Sequence, residues 1–142
     1  MATVFDVAEY ILQKLGPLPA MKLQKLIYYS QAWSLVWDDA PLFPEKIEAW
    51  ANGPVVRALY NAHKGQFTVK SFQKGNFKSL KQKQLDTIDS VLKFYGERSS
   101  QWLSDLTHQE EPWKNARQGV PVGDPGNAVI SHAAMAEYYG SL

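Results

Sequence analysis

The amino-acid sequence predicts a mainly α protein, a compact single-domain bundle of five to six helices with at most a short β hairpin. Three observations indicate this class. Apolar residues recur at spacings of three and four along most of the chain, which is the period of a helix face. Glycine and proline clusters separate these stretches. The length of 142 residues is typical of one domain, so we expect a single domain over residues 1–142.

The first two predicted helices have clear boundaries. Residues 4–15 carry one apolar face, Thr3 is the predicted N-cap, and a Gly-Pro pair ends the helix. Residues 21–37 form the second helix, in which Lys25 and Tyr29 are predicted to lie away from the apolar face. We therefore expect each helix to bury one side in a shared core.

The stretch after the second helix differs in character. Residues 47–51 lie between prolines and an Asn-Gly-Pro turn, and their pattern fits either a strand or a single helical turn. Pro54 is predicted to begin a third helix, because its missing N–H would be unpaired there in any case. Residues 66–79 are predicted to be irregular, apart from one short strand at 67–70.

Further helices are predicted in the second half of the chain. One covers residues 80–95, and the next begins after Ser99 or Ser100, since either serine is a suitable N-cap. Residues 118–127 are rich in glycine and proline and are predicted to form a loop. Ser131 is the predicted N-cap of a short last helix.

Composition excludes several classes of function. The chain has no cysteine, which excludes disulfides, thiolate zinc sites and cysteine nucleophiles. A formal net charge of +1 provides no overall field that would attract nucleic acid or a membrane surface. No apolar run approaches the ~20 residues of a membrane span, and the N-terminus lacks the features of a signal peptide. Neither a phosphate-binding loop nor a nucleophile elbow is present, so we expect no cofactor. Together with the lack of a membrane span and a signal peptide, the lack of cysteine leads us to expect a cytoplasmic protein.

His108 is followed by Glu110 and Glu111, which raises the question of acid–base catalysis or a partial metal site. His108 and Glu111 are three residues apart and would share a helix face. However, Pro112 opposes a helix that continues through this point, and the other two histidines are distant. We therefore predict no catalytic or metal residue here, but a joint between two helices. Trp113 is predicted to pack into that joint. Both glutamates are predicted to lie near the positive end of the helix that Pro112 opens.

A lysine-rich segment without aspartate or glutamate lies between residues 59 and 85. Its ordinary interpretation is a solvated segment whose phenylalanines fold onto the core. A protein partner is the second interpretation, and nucleic acid is the last, because lysine lacks the planar fork of arginine. If the segment binds a partner, the predicted contact residues are Lys70, Lys74, Lys78, Lys81, Phe72 and Phe77.

Three motifs resemble those of a known family when they are taken together and in order. They are MKLQKLIYYSQAW at 21–33, IEAWANGPVVRALY at 47–60 and LSDLTHQEEPWKNAR at 103–117. The family that they resemble is the Panacea domain family, whose members are also described as SocA-like antitoxins and GepA-type phage-associated proteins. The matched positions are interpreted as fold determinants: Leu23, Tyr28, Tyr29, Trp33, Trp50, Gly53, Pro54, Thr107, His108, Pro112 and Trp113.

The resemblance implies a non-enzymatic antitoxin of a type II toxin–antitoxin system. Such a protein neutralises a cognate toxin by direct protein–protein binding, and a homodimer is compatible with this role but not required by it. Toxin choice is assigned, as a hypothesis, to the segments least like a fixed motif, 64–84 and 118–127. Two other readings remain open: an adaptor that delivers the toxin to a protease, and a hydrolase based on His108 with Glu110 or Glu111.

Overall fold

The longest helix, α2, forms the centre of the molecule. The structure is a computed structural model and describes residues 2–142. Its elements are α1 (Val4–Leu15), β1 (Leu18–Pro19), α2 (Ala20–Trp37), β2 (Ile47–Trp50), β3 (Gly53–Val56), α3 (Arg57–His63), β4 (Thr68–Val69), a 3-10 turn (Phe77–Ser79), α4 (Gln82–Tyr95), α5 (Ser100–Gln109), α6 (Glu111–Ala116) and α7 (His132–Gly140). Helix α2 contacts α1, α4, α5 and α7 as well as β1 and β3. The predicted mainly α class is confirmed, with seven α-helices among the described residues.

Helices α1 and α2 occupy the predicted ranges, but the expectation that α2 buries only one side is wrong. Asp6 accepts a hydrogen bond from the Thr3 backbone N–H at 2.8 Å, which fixes the start of α1. On α2, every residue from Leu23 to Ala32 is buried, including Lys25 and Tyr29. Because other elements surround α2, this helix has no solvent-facing side over these turns, and its polar residues must find partners inside the protein.

Two buried glutamines on α2 bind the backbone of neighbouring non-helical segments. Gln24 accepts from the Val56 N–H at 2.9 Å and donates to the Val56 carbonyl at 3.3 Å. Two turns later, Gln31 accepts from the Leu42 N–H at 2.7 Å and donates to the Phe43 carbonyl at 2.9 Å. Each amide therefore satisfies one backbone donor and one backbone acceptor, which makes these polar side chains compatible with a core position.

Strands β2 and β3 form an antiparallel hairpin, in which Ile47 pairs with Val56 and Trp50 with Gly53. Residues 47–50 are therefore a strand rather than a helical turn. The prediction that Pro54 begins a helix is wrong, since Pro54 lies in β3 and α3 begins at Arg57. The two valines after Pro54 favour extended backbone. The Pro54 carbonyl points towards α2 and not towards β2, so the missing N–H of proline removes no bond from the hairpin.

The segment between α3 and α4 is largely irregular, as predicted. Its short strand β4 pairs antiparallel with β1, so that Val69 faces Leu18. Acidic side chains of α1 hold the rest of the segment. Asp6 accepts from the Asn76 backbone N–H at 2.7 Å, and Glu9 accepts from the Phe72 backbone N–H. These bonds fix a long connection that has little regular structure of its own.

The helix starts in the second half of the chain follow their serine caps. The Ser99 hydroxyl accepts from the Trp102 N–H and the Ser131 hydroxyl accepts from the Ala134 N–H, each at 3.0 Å. The predicted joint is also present, because α5 ends just before Glu110 and α6 begins just after it. Within residues 2–142, none of the helices combines the length and the apolar character that a membrane crossing requires.

Candidate protein-binding site

A surface groove lies where the β2–β3 turn, α3 and the loop at 118–127 meet. Its volume is about 640 Å³. It is lined by a wall that consists of Trp50, Arg57 and Tyr60 and by residues of the loop between 123 and 127. The groove therefore brings together parts of the chain that are about 70 positions apart in sequence, in a concave shape suited to a ligand or a protruding partner side chain.

The wall around Trp50 is held by aromatic and ionic contacts. The Tyr60 ring meets the Trp50 ring edge-on at 4.8 Å, and the Arg57 guanidinium lies 5.0 Å from the Trp50 ring centre. Glu48 accepts hydrogen bonds from Arg57 Nη2 at 2.9 Å and from Trp50 Nε1 at 2.9 Å. The hydrogen bonds from Arg57 lower the pKa of Glu48, so this carboxylate stays charged and keeps the wall in place.

A second depression of about 230 Å³ continues from the groove and shares Met21 and Tyr60 with it. Its lining includes Phe67, a residue that is 82% exposed. A large aromatic ring that gains so little from burial in the monomer is a candidate anchor for another protein.

Arg117 fastens the loop at 118–127 to the hairpin. Its guanidinium donates to the backbone carbonyls of Ala49 at 3.1 Å, Pro121 at 3.3 Å and Asp124 at 2.6 Å. A side chain at position 126 would have its Cβ 2.9 Å from Arg117 Nη1, which explains why glycine stands there. The loop wall of the groove is therefore fixed although it contains no helix or strand.

Beside the hairpin turn lies a group that we call the lysine cluster, which consists of the buried residues Lys25, Gly53, Pro54 and Thr107 and the partly buried His108. Lys25 donates to the Pro54 carbonyl at 3.3 Å. Gly53 has φ of 122°, and a Cβ there would come within 2.5 Å of Lys25 Cε. Burial lowers the pKa of Lys25 to about 7, because desolvation disfavours the ammonium form.

A second buried group, the tyrosine cluster, consists of Tyr28, Tyr29, Tyr139 and Glu110. The Glu110 carboxylate accepts from the Tyr29 hydroxyl at 2.6 Å and from the Tyr139 hydroxyl at 2.8 Å. The Tyr28 and Tyr139 hydroxyls are 3.0 Å apart. Glu110 is the N-cap residue of α6 and Glu111 lies in its first turn, so both glutamates lie at the positive end of that helix as predicted, but the Glu110 side chain is buried. Burial raises the pKa of Glu110, while the two tyrosine hydrogen bonds oppose that rise.

His108 lies in the joint without a polar partner for Nε2 among residues 2–142. Its ring stacks on Trp113 at 4.2 Å. Burial lowers the pKa of His108, and the positive charge of Lys25 lowers it further, so the imidazole is neutral at pH 7. No group of three or more histidine, aspartate and glutamate side chains in the described part of the chain is placed to hold a metal ion.

The comparison with protein families matches these elements to a known model. The model described as "Antitoxin SocA-like, Panacea domain" matches residues 23–114, which is more than half of the chain. This chain belongs to that family. A comparison with curated proteins finds no match, and neither does a comparison with solved structures. The range matched to the SocA-like model includes Trp50, Arg57 and Tyr60 but ends before Arg117 and the loop that completes the groove.

Most of the positions singled out by the motifs lie in the interior. Leu23, Tyr28 and Tyr29 are fully buried on α2. Gly53, Pro54 and Thr107 belong to the lysine cluster, and the Trp113 indole donates to the Trp50 carbonyl at 2.8 Å. Trp33 is partly buried, stacks on Trp37 at 5.0 Å and donates to the Tyr95 hydroxyl. Pro112 is buried in the first turn of α6. The interpretation of these positions as fold determinants stays a prediction.

The predicted partner-binding residues of the lysine-rich segment are divided by the fold. Lys70, Lys74, Lys78 and Lys81 are exposed. Phe72 is buried and packs edge-on against Phe5 at 5.7 Å, and Phe77 is half-buried against Tyr10. The four lysines are therefore the accessible part of this set, and their contact with a partner remains a prediction.

Sequence reasoning missed the residues that build the groove. Arg57, Tyr60 and Arg117 lie within the motifs, but the sequence predicts no binding role for any of them. The local signal is weak, because an arginine or tyrosine on a short helix has many structural uses. Only the fold places Arg57 and Tyr60 beside the glycine-rich loop.

Proposed function

We propose that this chain neutralises a cognate protein toxin by binding it directly, as the antitoxin of a type II toxin–antitoxin pair. The observation that carries the proposal is membership of the SocA-like antitoxin family over residues 23–114. The proposal includes no catalytic step. In support, the carboxylate nearest to His108 in sequence, Glu110, is engaged by two tyrosine hydroxyls, and the His108 ring is occupied by its stack on Trp113.

The groove and the second depression form the proposed toxin-binding surface. Aromatic and arginine side chains are enriched at the centres of protein interfaces, and Trp50, Arg57 and Tyr60 are such residues. The two segments to which the sequence assigns toxin choice both contribute to this surface. Residues 64–67 line the second depression, and residues 123–127 line the groove. Both segments would then contact the toxin beside the wall formed by Trp50, Arg57 and Tyr60.

The decisive experiment is co-expression with the toxic protein encoded beside this gene. We expect the wild-type chain to reverse growth arrest and to co-purify with the toxin. Phe67→Ser tests the surface, because this exposed ring lies in the second depression and its loss leaves the core unchanged. We expect about tenfold weaker binding, the equivalent of ~1.4 kcal/mol, measured by calorimetry.

Phe94→Ser is the matched control for Phe67→Ser. Phe94 is also a largely exposed phenylalanine, 62% by side chain, but it lies on α4 and outside both depressions. Binding should be unchanged in this variant. Equal losses for Phe67→Ser and Phe94→Ser would mean that the toxin does not use the proposed surface.

The exposed lysines offer a second test of the same function. A triple change of Lys74, Lys78 and Lys81 to glutamate should slow association with the toxin, since charges at an interface rim act mainly on the association rate. The melting temperature should not fall, because these side chains are exposed. These lysines lie outside the groove and the second depression, and unchanged affinity and association rate would show that they do not contribute to toxin binding.

An adaptor that delivers the toxin to a protease would use the same contacts with a different outcome. The half-life of the toxin in cells separates the two mechanisms. Under direct neutralisation, the toxin persists at least as long with this protein as without it. A shortened half-life would contradict simple blocking and favour the adaptor.

A further inference from the structure

The β2–β3 hairpin is extended by a third segment that follows the glycine-rich loop. The Ala49 N–H donates to the Ala128 carbonyl at 2.8 Å, and the Ile130 N–H donates to the Ile47 carbonyl at 2.8 Å. Glu48 and Val129 face each other in an antiparallel bridge between these two bonds. The hairpin and residues 128–130 thus form a small three-stranded arrangement with β2 in the middle.

The two outer edges of this arrangement differ. On the β3 edge, Gln24 binds both backbone groups of Val56, and Lys25 binds the Pro54 carbonyl. Helix α2 therefore closes that edge. On the other edge, the backbone of Val129 points away from β2, because residues alternate in direction along a strand. Neither its N–H nor its carbonyl has a hydrogen-bond partner among residues 2–142, and Val129 is 49% exposed.

We propose that this open edge accepts an extended segment of the toxin as an additional strand. This inference rests on the proposed function and specifies how the same surface is used. An exposed edge with unpaired N–H and carbonyl groups is a template for another strand, and proteins recognise extended peptides in this way. The side chain of Val129 would then pack beside the side chains of the added strand.

The neighbouring groove indicates the chemistry of the toxin segment. Asn127, two residues before Val129, lines the groove, so a strand bound at this edge continues into it. The groove lining contains Arg57 but no carboxylate. Glu48 binds Nε and Nη2 of Arg57 and leaves Nη1 free for a further acceptor. Because Glu48 already balances the charge of Arg57, the groove suits an aromatic or aliphatic side chain with a hydrogen-bond acceptor near Arg57 Nη1.

The edge is already positioned before a partner binds. Arg117 holds the preceding loop through three carbonyls, and the two bonds to β2 hold residues 128–130. A preorganised edge avoids much of the entropy cost of ordering a loop during association. This favours recognition of a flexible toxin segment by a fixed antitoxin edge.

Val129→Pro tests the edge directly, with Val129→Ala as its matched control. Proline removes the outward N–H but leaves the bonds made by Ala128 and Ile130, a position at which an edge tolerates proline. Alanine keeps the N–H and shortens the side chain. We expect at least tenfold weaker toxin binding for Val129→Pro and less than threefold for Val129→Ala, both measured by calorimetry with the purified toxin. Equal affinity of the two variants would contradict pairing of the toxin with this edge, while binding by the wild type would still support the proposed function. No binding by the wild type would overturn both.

Hydrogen exchange of the Val129 amide provides a measurement that does not depend on the folding of a variant. In the wild-type chain alone this amide should exchange rapidly, and in the toxin complex at least tenfold more slowly. If calorimetry confirms the complex but the exchange rate of the Val129 amide is unchanged, pairing at this edge is contradicted and the proposal of direct toxin binding is unaffected. Slowed exchange at rising concentration of the chain alone would assign the edge to a second copy of this protein, which would also overturn the inference.

Discussion

The lysine cluster and the tyrosine cluster both contain residues of the α5–α6 joint and each buries one ionisable side chain. They differ in how many hydrogen bonds that side chain makes. Helix α2 supplies Lys25 to one cluster and Tyr29 to the other, and the α5–α6 joint supplies His108 and Glu110 respectively. The Glu110 carboxylate accepts two short hydroxyl hydrogen bonds, at 2.6 and 2.8 Å. The Lys25 ammonium, which has three donors, makes one bond of 3.3 Å to a carbonyl.

The difference shows that burial alone does not determine what a polar group contributes to a fold. Glu110 is buried with donors that match it, so its hydrogen bonds tie α2, α7 and the joint together. Lys25 is buried with too few acceptors, so its charged form is disfavoured and its pKa falls to about 7. We expect the tyrosine cluster to hold the three elements in a fixed geometry and the lysine cluster to make the free energy of unfolding depend on pH.

Removal of the carboxylate from the tyrosine cluster should have the largest effect. Glu110→Ala leaves the Tyr29 and Tyr139 hydroxyls without their acceptor and opens a cavity between three elements. We expect the free energy of unfolding at pH 7 to fall by about 3 kcal/mol, measured by urea denaturation.

Glu110→Gln is the control for that change. Glutamine keeps an acceptor oxygen and nearly the same volume, so the expected loss is about 1 kcal/mol. Equal losses in the alanine and glutamine variants would show that the two hydroxyl bonds do not stabilise the joint.

The lysine cluster should make the free energy of unfolding depend on pH. In the unfolded chain Lys25 binds its proton up to pH near 10.5, whereas in the folded chain the proton is lost near pH 7. Between these values the unfolded state binds more protons, so stability rises with pH. The contribution of Lys25 should increase by about 2 kcal/mol from pH 7 to pH 9. Lys25→Met keeps the apolar stem and should lack this increase when the free energy of unfolding is measured at both pH values.

Lys22→Met provides the matched comparison for Lys25→Met. Lys22 lies one turn earlier on α2 and is only half-buried, so most of the rise in stability between pH 7 and pH 9 should remain. The same pH profile in wild type and Lys25→Met would mean that Lys25 is not the group responsible.

Several helix boundaries could be predicted because their signals are local. Ser99 and Ser131 cap helices through bonds to residues three positions later, so no knowledge of the tertiary structure is needed to interpret them. The proline signal is less reliable, since Pro112 lies in the first turn of α6 but Pro54, which carries the same signal, lies in strand β3.

The two clusters and the groove could not be predicted in the same way. Glu110 and Glu111 are neighbours with the same local signals, yet only Glu110 meets Tyr29, which is 81 residues away. Periodicity places Lys25 away from the apolar face of α2, but it gives no information on how many elements surround a helix, so the burial of Lys25 could not be predicted. Arg57 and the loop at 123–127 become one site only through the hairpin between them.

The smallest expected effect concerns His108, the partly buried histidine of the lysine cluster. Its Nε2 has no partner within residues 2–142, and its ring stacks on Trp113. His108→Phe keeps a flat ring in the joint and removes the unpaired nitrogen, so the free energy of unfolding should change by no more than about 1 kcal/mol. Protection of cells from the toxin should be unchanged, because the ring acts through packing. A folded His108→Phe protein that no longer protects cells would show that the imidazole itself is needed, and would return the lysine cluster to consideration as a chemical site.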